Sequence, residues 1–335
     1  MIMTVKNTHP NSLFFLPFML VSILGNAFYS SKTEIPMVFY KPAYEVEVKR
    51  DINYGYGLSH DSFAFENPIE IPLKLDIYSP KNNLSNRPVV VLIHGGGFRD
   101  GTKDWSQFID LSNFFASRGW VVFNIDYRLM RHFGSIPKAW AKMVDLRGSS
   151  NSKKNQAKAS YPAIRDAKAA IRWIVANNSK LGINPDYITV GGGSAGAVAA
   201  IAVGISETID FKDELSVQVD PTLLTTNLNQ TYKVKTILDF WGSKGGVDAI
   251  SRIYNKELYN ENNPALFIAH GTDDPTVSFQ KAEDLKSVYE TTGAPYILYP
   301  LRGHGHGPWR YKRNGKSLGD LALKFIIEQQ QLEVL

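Results

Sequence analysis

Residues 187–196 constrain the fold of this chain more than any other stretch. The β-branched run at 187–190 is typical of a strand, and the small residues from Ala195 onward are typical of a helix start. Between them Ser194 has a glycine two positions away on each side, Gly192 and Gly196. Larger side chains there would collide in a tight turn. The sequence therefore predicts a strand–turn–helix unit that holds Ser194 in a strained conformation, with its hydroxyl exposed near a helix N-terminus.

Composition narrows the class of protein. The chain has 335 residues, of which 44% are hydrophobic, as is ordinary for a soluble globular protein. It contains no cysteine, so disulfides, thiolate catalysis and Cys-ligated metals are excluded. The formal net charge of +5 is mild, and no basic helix or zinc-finger spacing accompanies it. We therefore expect no nucleic-acid partner.

The N-terminus has the pattern of a targeting segment. Lys6 and His9 precede an apolar run over residues 13–24, which is short for a membrane span. Small residues follow at 25–27. This pattern predicts a signal peptide over residues 1–27, an uncleaved membrane anchor being the alternative. We expect an exported protein, periplasmic or extracellular, with no stable membrane span after processing.

Strand and helix patterns alternate through the rest of the chain. The unbroken apolar run at 89–93 is typical of a strand buried on both faces, and residues 120–125 are expected to form another buried strand. Residues 105–117 and 161–181 have helical spacing. Such alternation predicts a mainly parallel sheet with helices on both faces. Active sites in such sheets lie beyond the carboxyl ends of the strands. With no internal repeat or interdomain linker, residues 28–335 are expected to form one domain.

Residues 128–160 interrupt this alternation. They contain one acidic residue, Asp145, against a set of basic residues: Arg128, Arg131, Lys138, Lys142, Arg147, Lys153, Lys154 and Lys158. The apolar residues Phe133, Ile136, Trp140 and Met143 have helical spacing. We interpret the segment as a lid or cap-like insertion, in which a short amphipathic helix covers the pocket and limits substrate length. The alternative is a solvated basic loop.

A nucleophilic serine needs a base, an orienting acid and donors for an oxyanion, and the chain offers each at a strand end. Gly95-Gly96-Gly97 follow the strand at 89–93 and have unencumbered N–H groups. Asp273 and Asp274 follow the strand at 265–269. Histidines at 304 and 306 follow the strand at 296–299. At this level either acid and either histidine remains a candidate.

The chain resembles the α/β-hydrolase superfamily, and within it carboxylesterases of the HGGG type, the hormone-sensitive-lipase-like and related bacterial esterases. The resemblance runs from about residue 75 to residue 325. It rests on five motifs in the family's order, which are His94–Phe98, Asp166–Trp173, Gly192–Gly196, His270–Asp274 and the glycine-flanked histidines after Arg302. It implies an α/β-hydrolase fold, a mostly parallel central sheet of about eight strands with helices on both faces. The insertion follows the strand that ends near Tyr127.

Matched position by position, the resemblance implies Ser194 as nucleophile and Asp274, rather than Asp273, as the acid. The G-x-G-H pattern favours His306 over His304 as the base. For the oxyanion hole it implies N–H groups from these residues: Gly96, Gly97 and Ala195.

Three further residues at strand ends are expected to stabilise loops rather than to take part in catalysis. His94 and His270 begin glycine turns and are expected to brace loops, and Asp239 is an alternative acid but better read as a loop anchor.

The resemblance implies a serine carboxylic ester hydrolase that acts through an acyl-enzyme on a small-molecule or polymer ester, without cofactor or metal. A prolyl-oligopeptidase-like serine peptidase and a non-catalytic binding protein on the same fold are the alternatives. The physiological ester and the oligomeric state stay open.

Overall fold

The computed structural model describes residues 34–335. The predicted signal peptide, residues 1–27, lies outside the described residues. Among the residues that are described, none of the helices combines the length and the apolar character needed to cross a bilayer.

The described chain alternates strands and helices, as predicted. The strands are β1 (Met37–Val38), β2 (Val46–Ser59), β3 (Ile69–Pro80), β4 (Arg87–Ile93), β5 (Val121–Ile125), β6 (Ile183–Gly193), β7 (Val234–Phe240), β8 (Ala265–Gly271), β9 (Tyr296–Leu301), β10 (Lys312–Arg313), β11 (Lys316–Ser317) and β12 (Glu333–Val334). The helices are α1 (Ser106–Ala116), α2 (Lys138–Asp145), α3 (Asn151–Ala176), α4 (Asn178–Leu181), α5 (Ala195–Ile205), α6 (Gly245–Tyr254), α7 (Gln280–Thr292) and α8 (Leu318–Gln330). Short 3₁₀ turns lie at Met130–His132 and Pro221–Thr225.

The central sheet has eight strands within residues 34–335, in the order β2-β3-β5-β4-β6-β7-β8-β9. The pairs from β5 through β4 to β9 are parallel, whereas β2 and β3 are antiparallel to their neighbours at one edge. The mostly parallel sheet of about eight strands is thereby confirmed. All strands of the parallel part end at the same edge of the sheet, which is where its loops converge.

Two hydrophobic cores lie on opposite faces of this sheet. Along β4, Val89 and Val91 belong to one core and Val90 and Leu92 to the other, because successive side chains of a strand alternate between faces. The first core includes residues of α3, α5 and α6, and the second those of α1 and α8. Burial on both faces explains the unbroken apolar run that the sequence shows here, and the helices do cover both faces.

The segment 128–160 forms the 3₁₀ turn, α2 and the first part of α3. Its helix begins at Lys138 rather than near residue 133. Trp140 was expected to cover the pocket, but the structure places it in the core, 2% exposed, with its ring 5.3 Å from Tyr161 and 5.7 Å from Phe211. The helical spacing of the apolar residues therefore reflects packing of α2 against α3 and the core, rather than a face turned to substrate.

A buried ion pair holds the start of this segment. The Arg128 guanidinium donates to both carboxylate oxygens of Asp166 on α3, Nε to Oδ2 at 2.9 Å and Nη2 to Oδ1 at 2.6 Å. Its Nη1 donates to the Leu58 carbonyl at 3.0 Å, which ties β2 to the same point. Both side chains of the pair are almost fully buried. Removing one partner of such a pair costs about 3–5 kcal/mol, since the other charge stays buried.

Candidate active site

Ser194 lies between the end of β6 and the start of α5, with φ 57° and ψ −121°. A Cβ at Gly192 would lie 2.6 Å from the Ile93 carbonyl oxygen, and a Cβ at Gly196 would collide with the same oxygen. The predicted need for glycine on both sides is thus confirmed. Ser194 N–H donates to the Phe240 carbonyl at 2.9 Å, which fixes this turn against β7. The strained backbone turns the hydroxyl out of the core at the carboxyl end of the sheet.

His306 lies between this serine and Asp274. Ser194 Oγ is 2.9 Å from His306 Nε2, and His306 Nδ1 is 2.7 Å from Asp274 Oδ2. Asp274 follows β8 and His306 follows β9, so two neighbouring parallel strands deliver them to one edge. With Nδ1–H donating to the carboxylate, Nε2 is left as the acceptor for the serine hydroxyl.

The competing residues lie outside this hydrogen-bonded chain. His304 is exposed, and its ring stands 5.2 Å from Tyr311. Asp273 is also exposed and accepts from the Thr272 hydroxyl at 2.8 Å. Its N–H donates to the His304 carbonyl at 3.0 Å, so the two belong to a contact between the loops. The structure therefore brings together the pair that the motif pattern favours, Asp274 and His306.

The Asp274 carboxylate is held in its charged form. Burial by itself would raise its pKa, but the His306 ring and two backbone N–H groups more than offset this. Those N–H groups, from Thr276 and Val277, donate to Oδ1 at 2.8 and 2.9 Å. The pKa of Asp274 is consequently lowered below its ordinary value.

His270 braces the same loop, as expected. It is fully buried, and its Nε2–H donates to the Val277 carbonyl at 2.7 Å. The same nitrogen lies 3.4 Å from Asp274 Oδ2. Burial lowers the pKa of His270, which favours the neutral ring. His270 therefore supports the loop that carries Asp274.

The glycine loop after β4 leaves two backbone N–H groups without a partner among residues 34–335. The Gly95 carbonyl accepts from His94 Nδ1–H at 2.7 Å, and the Gly96 carbonyl accepts from the Asp100 N–H at 3.0 Å. In a planar trans peptide the N–H points opposite to the carbonyl, so the N–H groups of Gly96 and Gly97 point away from those partners. Within residues 34–335 neither N–H has a hydrogen-bond acceptor. Both glycines line the pocket that contains Ser194.

Tyr127 orients this loop, and sequence reasoning did not identify it. Its hydroxyl donates to the carbonyls of His94 and Gly95, at 2.8 and 3.2 Å, and its ring stacks on that of His94 at 4.3 Å. Burial lowers the pKa of His94 to about 4, so this histidine is neutral and structural. The sequence feature that could have identified Tyr127 is its position two residues after the end of β5, at the carboxyl edge of the sheet where Ser194 also lies.

The pocket around Ser194 has a volume of about 500 Å³. Four aromatic side chains form part of its walls: Trp105, Phe108, Trp241 and Trp309. Gln156 of the segment 128–160 also lines it, beside Gly97. Among the described residues no group of three or more His, Asp or Glu side chains is arranged to hold a metal ion.

Comparison with known proteins finds similarity to carboxylesterases. Residues 69–213 match the model of the carboxylesterase family. A probable isoprenylcysteine alpha-carbonyl methylesterase of Arabidopsis thaliana is 24% identical over 256 residues, which cover 69% of this chain and 48% of that protein. The match spans about half the length of that protein and of two other plant methylesterases, and 26% of the length of a rat carboxylesterase.

Solved esterase structures share the fold over most of their length. Thermogutta terrifontis esterase 2, phosphorylated by paraoxon, superposes with a TM-score of 0.57 at 23% identity, covering 84% of this chain and 94% of that one. A truncated carbohydrate esterase from gut microbiota gives 0.58 at 18% identity, covering 87% and 98%. The chain is similar to carboxylesterases and has the α/β-hydrolase fold of the solved esterases. Both the superfamily resemblance and the fold expected from it are thereby confirmed.

Asp239 is a buried acid that takes no part in the hydrogen bonds of Ser194 and His306. It lies on β7, is fully buried, and its Oδ1 accepts from the Gly242 N–H at 2.6 Å. Within the described chain its Oδ2 has no hydrogen-bond partner. Burial raises the pKa of Asp239 to about 7, only partly offset by the Gly242 N–H. The contact with Gly242 agrees with its interpretation as a loop anchor.

Asp239 is expected to make stability fall as pH rises from about 4 to about 7. In the unfolded chain its carboxyl ionises near pH 4, whereas the folded state keeps the proton until near pH 7. Because the folded state then binds more protons than the unfolded state, the free energy of unfolding decreases across this range. Asp239→Asn stays neutral, so its advantage over the wild type should grow by up to about 4 kcal/mol between pH 4 and pH 7.5. Urea unfolding at several pH values measures this, and parallel curves for the two proteins would contradict it.

Proposed function

We propose that this protein is a serine carboxylic ester hydrolase acting through an acyl-enzyme. The observation that carries the proposal is the hydrogen-bonded series Ser194–His306–Asp274, built at a strained strand-to-helix turn that opens on a pocket. The carboxylesterase family match gives independent support. The solved esterase structures that share the fold add support, and one of these esterases is phosphorylated by paraoxon.

In the first half of the reaction Ser194 Oγ attacks the ester carbonyl carbon while its proton passes to His306 Nε2. The new O–C bond forms as the carbonyl oxygen becomes an oxyanion. The bond to the alcohol oxygen then breaks, and His306 donates the same proton to that oxygen. Asp274 keeps the ring in the tautomer that accepts at Nε2 and stabilises the imidazolium.

In the second half water replaces the alcohol. The water oxygen attacks the acyl carbon while His306 takes a proton from the water. The bond between Ser194 Oγ and the acyl carbon then breaks, and His306 returns a proton to Ser194 Oγ. The products are the carboxylic acid and the regenerated serine, so one water is consumed for each ester.

The proposed oxyanion donors are the N–H groups of Gly96, Gly97 and Ala195. The first two have no acceptor within residues 34–335, and Ala195 begins α5, where the positive end of the helix dipole adds to the field. Assignment to the HGGG type rests on the motif His94–Phe98. Export is part of the proposal and rests on the sequence of residues 1–27.

The first test separates the two histidines. Ser194→Ala and His306→Ala should each lower kcat on a short acyl ester by roughly a million-fold, because the members of such a triad act as one unit. His304→Ala, a matched change two residues away on the same loop, should stay within a few fold of the wild type. Circular dichroism confirms folding of each variant. A Ser194→Ala protein that keeps a tenth of the wild-type rate, or a His304→Ala protein that loses more than His306→Ala, contradicts the assignment.

The second test concerns Tyr127 as a positioning residue. Tyr127→Phe removes the hydroxyl that orients the carbonyls of His94 and Gly95, so the oxyanion donors lose alignment. Removing one oxyanion donor outright costs about 10²–10³ in kcat, and misalignment should cost on the order of tenfold with KM little changed.

Tyr54→Phe is the matched control for this substitution. Tyr54 is equally buried and its hydroxyl donates to the Asp126 carbonyl at 2.7 Å, a contact outside the glycine loop. Each variant should lose about 1 kcal/mol of stability, whereas kcat should fall in Tyr127→Phe alone. Equal kcat values in the two variants would show that Tyr127 acts through stability only.

A further inference from the structure

A second cleft of about 550 Å³ adjoins the active-site pocket. It lies between α1 and the chain that follows His306, and we define it by six lining residues: Ser106, Gln107, Asp110, Trp309, Arg310 and Ser317. Gln107, Gly307 and Trp309 line both cavities. These three shared residues form the wall between the second cleft and the pocket of Ser194.

The walls of the second cleft combine aromatic surface with free polar groups. Trp309 lies against Phe240 with ring centroids 5.1 Å apart, and both rings line the cleft. Asp110 and Arg310 are exposed. Within residues 34–335 their side chains make no hydrogen bond or ion pair with another residue, so both are available to a ligand. The negative charge of Asp110 and the positive charge of Arg310 cancel, so the two side chains together give the cleft no net charge.

The position of the second cleft selects the part of an ester that could occupy it. In the proposed reaction His306 Nε2 must reach the oxygen of the departing alcohol, because it donates the proton that releases this group. Gly307 and Trp309, the residues that open into the second cleft, follow His306 directly in the chain. Gly96, Gly97 and Gln156 line the active-site pocket and not this cleft. The alcohol therefore leaves on the side where the second cleft lies.

We infer that the second cleft binds the alcohol part of the ester, and that this alcohol is a neutral, polyhydroxylated ring such as a sugar residue. The inference rests on the proposed function and adds the substrate class. The face of a sugar ring carries C–H groups that pack on an aromatic side chain, while its hydroxyls donate to a carboxylate and accept from a guanidinium. Trp309, Asp110 and Arg310 supply these three partners.

Other occupants fit this lining less well. A purely apolar alcohol would remove water from Asp110 and Arg310 without replacing their hydrogen bonds, which costs free energy. A charged alcohol would be attracted by one of these side chains and repelled by the other. Hydroxyl groups can satisfy both at once.

The test compares two acetyl esters whose alcohols share a six-membered ring. Monoacetylated methyl β-xyloside has ring hydroxyls, and cyclohexyl acetate has none. The wild type should show a higher kcat/KM for the xyloside. Asp110→Ala and Arg310→Ala should each lower the ratio of the two kcat/KM values by roughly tenfold, as expected for a lost hydrogen bond to a charged group.

Matched controls come from the opposite edge of the sheet. Glu257 and Arg252 are exposed and lie in or just after α6, before β8 begins. Glu257→Ala and Arg252→Ala should therefore keep the wild-type ratio. A ratio that is unchanged in Asp110→Ala and Arg310→Ala, or a wild type that prefers cyclohexyl acetate, overturns the inference.

A binding measurement separates failure of this inference from failure of the proposed function. Saturation-transfer NMR with methyl β-xyloside should show binding to the wild type that weakens in Asp110→Ala. If the wild type cleaves neither ester but binds the xyloside in this way, the proposed function fails and the sugar site stands. If the wild type cleaves both esters and the xyloside gives no signal that depends on Asp110, the esterase stands and the sugar site is wrong.

Discussion

The backbones at the carboxyl ends of β4 and β6 approach so closely that only glycine fits, and the geometry of the site depends on this contact. A Cβ at Gly196 would collide with the Ile93 carbonyl oxygen, and one at Gly95 would lie 2.8 Å from the Gly193 oxygen. The contact joins the glycine loop after β4 to the turn that carries Ser194. A side chain at Gly95 or Gly196 would push this loop and this turn apart.

A second close contact lies between the loops after β8 and β9. A Cβ at Gly271 would collide with the carbonyl oxygens of His304 and Gly305, and the Asp273 N–H donates to His304. These backbone contacts hold the loop of His306 against the loop of Asp274. The residues that were the weaker candidates for base and acid, His304 and Asp273, thus bring the other two within hydrogen-bond distance.

Much of this arrangement could be predicted from the sequence, because it depends on local patterns. Glycine spacing indicated the turn at Ser194, and apolar runs indicated the buried parallel strands. Tyr127 could not be assigned in this way, because the residue it holds is distant in sequence: its hydroxyl contacts the His94 carbonyl across 33 positions. Trp140 shows the converse error, because amphipathic spacing does not distinguish a helix face that meets substrate from one that meets the core.

The central claim is that Ser194 is a nucleophile activated by His306. The most direct measurement is reaction of the purified protein with a fluorophosphonate, followed by mass spectrometry of its peptides. The account predicts one adduct per chain, on the peptide that contains Ser194, formed far more slowly in His306→Ala. An unlabelled protein, an adduct on a different serine, or equal labelling rates in the two proteins would contradict it.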